Sequence, residues 1–154
     1  MILFKSFIGI VVVALFTLLG YKKSSKYKSN KVLWAETDKI NTAMINNQLM
    51  KKDSVLKVLS EFDSEVADQL SNRVKGEPFD ADFCEQLKED CSQMEAYALA
   101  LGSGNSAEQM SLYTSFGGFI KEKLQKAKKE EEKYSALCVK TGFLIGLMVF
   151  ILII

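Results

Sequence analysis

The two ends of the chain constrain it most. Residues 6–20 read SFIGIVVVALFTLLG and residues 141–154 read TGFLIGLMVFILII, both without a charge. With Met1 to Lys5 added, the first stretch is about 20 residues, or roughly 30 Å as a helix, enough to cross a bilayer core. The second gives about 21 Å at 1.5 Å per residue. Ala136 to Val139 lengthen it if Lys140 snorkels to the headgroups, and a small hydrophobic mismatch costs little. A cleaved signal peptide would show a small-x-small site, but Tyr21, Lys22 and Lys23 follow the first stretch, so a retained span is expected. The second stretch has no polar face, which argues against an interfacial helix. Two transmembrane helices are therefore expected, over residues 1–21 and 135–154.

Charge orients them. Lys22, Lys23, Lys26, Lys28 and Lys31 follow the first span with no acid among them, whereas only Lys5 and the amino terminus precede it. The positive-inside rule puts residues 22–140 in the cytoplasm and both termini outside, and Lys133 and Lys140 agree. Residues 22–31 form a basic juxtamembrane collar and residues 32–134 a cytoplasmic domain. The chain of 154 residues carries 20 Lys+Arg against 19 Asp+Glu. That near-neutral total removes a bulk electrostatic case for nucleic acid. It also hides a separation: residues 32–105 hold seven basic and fourteen acidic side chains. The collar suits the anionic inner leaflet, making its lipids an expected partner. The acidic body suits a basic partner, through Asp80, Asp82, Glu85, Glu89 and Asp90, although a merely solvated face accounts for the same charges.

The body reads as all-α. One Pro in the whole chain and the lack of any period-2 run exclude a turn-rich β fold. Val32 to Met50 is helical in pattern. Asp53 or Ser54 can cap a second helix reaching Phe62, and a third runs from about Ser64 to Val74. Gly76 to Asp80 is a break. Asp80 or Asp82 can cap a fourth helix carrying Phe83, Cys84, Leu87 and Cys91 on one stripe and continuing through Met94, Tyr97 and Leu101. Gly102 to Ser106 breaks again. In the last segment Met110, Tyr113, Gly117, Ile120, Leu124 and Ala127 recur at three-to-four spacing, continued by Glu131, Tyr134 and Cys138. That packing seam requires a second helix against it; Gly117 permits close approach and Glu131 interrupts it. This helix is expected to run on into the second span as a stiff rod.

Catalytic patterns are missing. The chain has no His, which removes His-based triads and HExxH zinc sites. Cys84, Cys91 and Cys138 lack the close CxxC spacing of zinc ligands; in a reducing cytoplasm they are expected to be small buried thiols. Gly102–Ser103–Gly104 lacks the phosphate-loop pattern. No cofactor, metal or catalytic residue is expected, and the protein reads as a non-enzyme.

The stretch from Leu101 to Ile154 resembles the stage III sporulation protein AB family of endospore-forming bacteria. The resemblance rests on Leu101, Gly102, the polar turn, Gln109, the Lys- and Glu-rich amphipathic helix, Lys133, Tyr134, Lys140, Gly142, Phe143, Leu144, Gly146 and Leu147. The N-terminal span with its basic collar is also similar. The chain departs from the family at Asn105, where an acidic residue is common, and around Asn46 to Leu56, which lacks the family's Thr-Pro-Leu turn. The resemblance implies a cytoplasmic helical bundle like the platform-protein domain of type II secretion. It implies a place in the mother-cell membrane around the forespore, in the channel complex that joins the two cells. The implied partners are a stage III sporulation protein AA-type ATPase and the other channel components, with homo-oligomers allowed. The competing reading is a small two-span membrane-tethered adaptor or sensor unrelated to secretion.

Overall fold

The computed structural model describes residues 2–50 and 53–153. Met1 and Ile154, at the outer ends of the two expected spans, lie outside the described residues. Among the described residues there are six α-helices: α1 (Ile2–Met50), α2 (Val55–Leu59), α3 (Glu65–Val74), α4 (Ala81–Leu87), α5 (Cys91–Ala100) and α6 (Ser106–Ile153), with a 3₁₀ turn at Lys88–Asp90. No strand occurs among the described residues. Two of the helices, α1 and α6, are long and apolar enough to cross a membrane.

α1 runs through the basic residues 22–31 without a break. Lys is a good helix former and residues 21–50 contain neither Gly nor Pro, so nothing local stops the helix. The chain instead divides into two compact units. Unit 1 is Met1–Val32 with Gln125–Ile154, and unit 2 is Leu33–Leu124.

Side-chain caps set three helix starts in unit 2, while α4 and α5 begin at Asp80 and Asp90 without a capping hydrogen bond. The Ser54 hydroxyl accepts from the Lys57 backbone N–H, and Ser64 accepts from Ala67 at the start of α3. Such caps satisfy donors that the helix itself leaves free. α2 stops at Leu59, short of the expected Phe62. At α6, the Asn105 side chain accepts from Ala107 and Glu108 N–H at 3.0 Å, and Glu108 accepts from Asn105 N–H at 2.9 Å. This is a reciprocal capping box, and Asn105 serves it as well as an acid would.

The single helix expected from Asp80 through Leu101 is two helices. Lys88 adopts φ 55°, ψ −121°, which no α-helix tolerates. The break re-aims the apolar stripe: Phe83 and Leu87 are buried from α4, and Met94, Tyr97 and Ala98 from α5. α3 packs against α2 and α5. Leu33, Trp34, Ile40 and Met44 of α1 and Tyr113 and Ile120 of α6 complete the core.

Unit 1 is a pair of helical segments packed on small residues. A Cβ added at Gly142 would lie 2.5 Å from the Phe16 carbonyl oxygen, one at Gly20 the same distance from the Cys138 carbonyl oxygen, and one at Gly146 2.8 Å from Val13 Cα. Backbones this close leave no room for any other side chain. Many large apolar residues point outward: Leu15, Leu18, Leu19, Phe143, Leu144 and Met148 are all exposed, while Phe16 and Phe150 are half-buried beside the glycines.

Candidate functional site

The five acidic residues singled out as a partner surface divide into two groups. Asp82, Glu85 and Glu89 are exposed. Asp80 is exposed as well but tied to α3: its backbone N–H donates to Gln69 Oε1 at 3.0 Å and its carboxylate accepts from Gln69 Nε2. Asp90 accepts from Lys123 Nζ at 2.5 Å, with both side chains mostly buried. Lys123 also lies 5.2 Å over the Phe119 ring. Asp80 and Asp90 therefore tie elements together, and of the five only Asp90 is withdrawn from the surface; Asp80, Asp82, Glu85 and Glu89 are exposed.

The α6 residues from Met110 to Ala127 differ in how far they are covered. Tyr113, Gly117, Ile120 and Ala127 are buried, while Met110 and Leu124 are half-buried. A Cβ at Gly117 would lie 2.9 Å from Asn41 Nδ2, so a larger residue there would push on that amide. Asn41, on α1, escaped the sequence reading. Its amide donates to the Tyr113 carbonyl at 3.0 Å, and its Oδ1 accepts from the Tyr97 hydroxyl at 2.9 Å. Burial pushes the Tyr97 phenol well above its ordinary value, with Tyr113 adding to the rise, and burial raises Tyr113 too. Tyr97 stacks on Phe116 with centroids 3.9 Å apart. An Asn one position beyond Ile40 on the apolar stripe was the available signal for this network.

The residues that carry the family resemblance have structural work. Gln109 Oε1 accepts from Gly102 N–H at 3.1 Å and from the Tyr113 hydroxyl at 2.8 Å, and its amide donates to Ala100 O at 2.9 Å and to Ser103 O. One buried amide thus closes the α5–α6 turn, in which Gly102 takes φ 76°. Leu101 is buried beneath the turn. In unit 1, Lys133 lies 5.1 Å over the Tyr134 ring, and Tyr134 stacks on Tyr27 at 5.7 Å. Gly142 and Gly146 are the contact glycines, and Phe143 is exposed between them. Glu131, which interrupts the apolar seam, pairs with Lys31 at 2.6 Å, and the hydroxyls of Ser24 and Ser135 meet at 2.6 Å. These last pairings were not legible, because each joins residues about a hundred positions apart.

The cysteine expectation is overturned. Cys84 and Cys91 form a disulfide across the Lys88 break, with Cα atoms 5.2 Å apart, and neither is fully buried. The kink at Lys88 brings together two residues that a straight helix would have placed about 10 Å apart along its axis. Cys138 is free and half-buried. Among the described residues no group of three or more His, Cys, Asp and Glu side chains is placed to hold a metal ion.

The sequence matches no family model, no curated protein and no solved structure.

Proposed function

We propose that the protein is a two-pass membrane protein and a non-catalytic platform subunit, whose helical body is presented to a cytoplasmic motor of the secretion-ATPase type. The observation that carries the membrane part is the inverted packing of unit 1, with glycines inside and large apolar side chains outside. A water-soluble protein exposes few contiguous apolar patches beyond several hundred Å², whereas lipid accepts such a surface and favours close contacts between small residues. The motor part is supported by the resemblance of Leu101 to Ile154 to the sporulation channel family. It is also supported by the exposed carboxylates Asp82, Glu85 and Glu89, which suit a basic partner face. In this reading the body faces the cytoplasm of the mother cell and the remaining channel components are its membrane neighbours.

The disulfide favours a second reading. Stable disulfides belong to oxidising compartments, so Cys84–Cys91 points to a body outside the cytoplasm and to a tethered adaptor beyond a cytosolic motor's reach. The lysines after the first span point the other way. Topology decides between them. A cysteine placed at exposed Ser115, in a chain whose own three cysteines are replaced by Ser, should react with a membrane-impermeant maleimide only after lysis if the body is cytoplasmic. The full chain in detergent should then capture the sporulation ATPase of its cell saturably and lose it at high salt. Labelling in intact cells, or no capture at low salt, would overturn the motor reading.

A further inference from the structure

The lysines of the collar point to a specific ligand. Along α1, Ser24, Tyr27 and Lys31 occupy the stripe that meets α6, where they pair with Ser135, Tyr134 and Glu131. That stripe forces the other lysines around the outside. Lys22, Lys23, Lys26 and Lys28 are all exposed, as are Lys133 and Lys140 on α6. None of these six takes part in an ion pair among the described residues. Over residues 21–32 and 125–140, ten lysines face three glutamates, a surplus of seven positive charges, and one of those glutamates is taken by Lys31.

Position matters as much as charge. Gly20, the last residue of the first uncharged segment, packs on Cys138, two positions before Lys140. Tyr21, the residue type favoured at a membrane interface, is exposed at that level. Lys22 and Lys23 follow within about 5 Å along the axis and Lys28 within about 12 Å, at 1.5 Å per residue. These distances compare with a Debye length of about 8 Å at physiological salt. A cluster of unpaired ammonium groups wrapped around a helix pair, directly beyond its apolar shell, matches the plane of phosphates at a bilayer surface. An acidic protein would have to reach the same groups from beside the membrane.

We propose that this collar binds anionic phospholipid headgroups and gathers them around the helix pair. The proposal rests on the reading of unit 1 as membrane-spanning. It is tested with the full chain reconstituted in phosphatidylcholine bilayers containing a trace of spin-labelled phosphatidylglycerol or spin-labelled phosphatidylcholine. The fraction of each label immobilised at the protein surface is the readout. Phosphatidylglycerol should be favoured by about fivefold, the attraction expected of a single lysine at a charged surface, and the preference should collapse toward parity at high salt. Replacing Lys22, Lys23, Lys26 and Lys28 by Gln should remove most of it, while the corresponding Lys→Arg chain should keep it. The salt titration of the unaltered protein stands even if the Gln chain inserts poorly. Equal immobilisation of the two labels, or a preference indifferent to salt, would overturn the collar proposal and leave the spans intact. Failure to immobilise either label would overturn both.

Discussion

Units 1 and 2 share two helices and obey opposite packing rules. In unit 2, the large fully buried positions include Ile40, Met44, Leu59, Leu70, Phe83, Met94, Tyr113 and Ile120, and acidic side chains outnumber basic ones. In unit 1, the buried positions include Gly9, Gly20, Gly142 and Gly146, and leucines, isoleucines and phenylalanines cover the surface. The charges divide the same way, with the acidic surplus in unit 2 and the basic surplus in unit 1. Hydrophobicity alone does not say which side of a helix is inside. The solvent says so: water drives large apolar groups together, whereas in lipid close helix contact must come from shape and small residues.

One substitution applied in both units tests that contrast most severely. Ile120, at 0% exposure, sits in the core of unit 2. Ile120→Asp should cost the body about 4 kcal/mol or more, because an unpaired carboxylate is buried. Loss of the cooperative thermal transition would show it. Leu124→Asp, at a half-buried position, should cost clearly less. Leu15 is 55% exposed in unit 1, and in water Leu15→Asp would be harmless. In a bilayer it should oppose insertion by about 3 kcal/mol, read as the fraction of chain recovered with membranes. If the Leu15→Asp protein partitions like the parent, unit 1 does not face lipid.

The next effect belongs to unit 2 alone. The Cys84–Cys91 crosslink spans seven positions. By loop-closure entropy, opening a loop of this size costs about 2 kcal/mol, so reduction should lower the midpoint of chemical unfolding of the body and leave lipid association unchanged. An unchanged midpoint would show that the link contributes nothing in solution.

High pH should also act on unit 2. The Tyr97 and Tyr113 phenols titrate above their ordinary value of 10.0 in the folded protein. Above that pH the unfolded chain releases protons that the folded chain retains. Stability is therefore full below pH 10.0 and falls as pH rises further, by at most about 1.4 kcal/mol per pH unit for each tyrosine. Tyr97→Phe should flatten that slope, at the cost of leaving Asn41 Oδ1 without its donor.

The smallest expected effect lies in unit 1. Lys31 and Glu131 are partly solvated at 35% and 19% side-chain exposure. Lys31→Gln should shift stability by only about 0.5 kcal/mol. A much larger loss would mean that the pair sits in a drier setting than water.

Much of this was legible beforehand, and for a common reason. Apolar length marked the two helices long enough to cross a membrane, Ser54 and Ser64 marked helix starts, GSGNS marked a turn, and the spacing from Met110 to Ala127 marked a helix face whose residues are buried or half-buried. All are local patterns, encoded by residues within a few positions of one another, and local chemistry is enough to select a helix, a cap or a lipid-compatible surface. The remainder depended on distant partners. That Glu131 would meet Lys31, that Gly142 would press on Phe16, that Asn41 would join Tyr97 to Tyr113, and that Cys84 would bond Cys91 across a kink at Lys88 are matters of register and chain direction. No window along the chain carries that information, because those contacts exist only once α1 and α6 lie side by side and the short helices have closed on them.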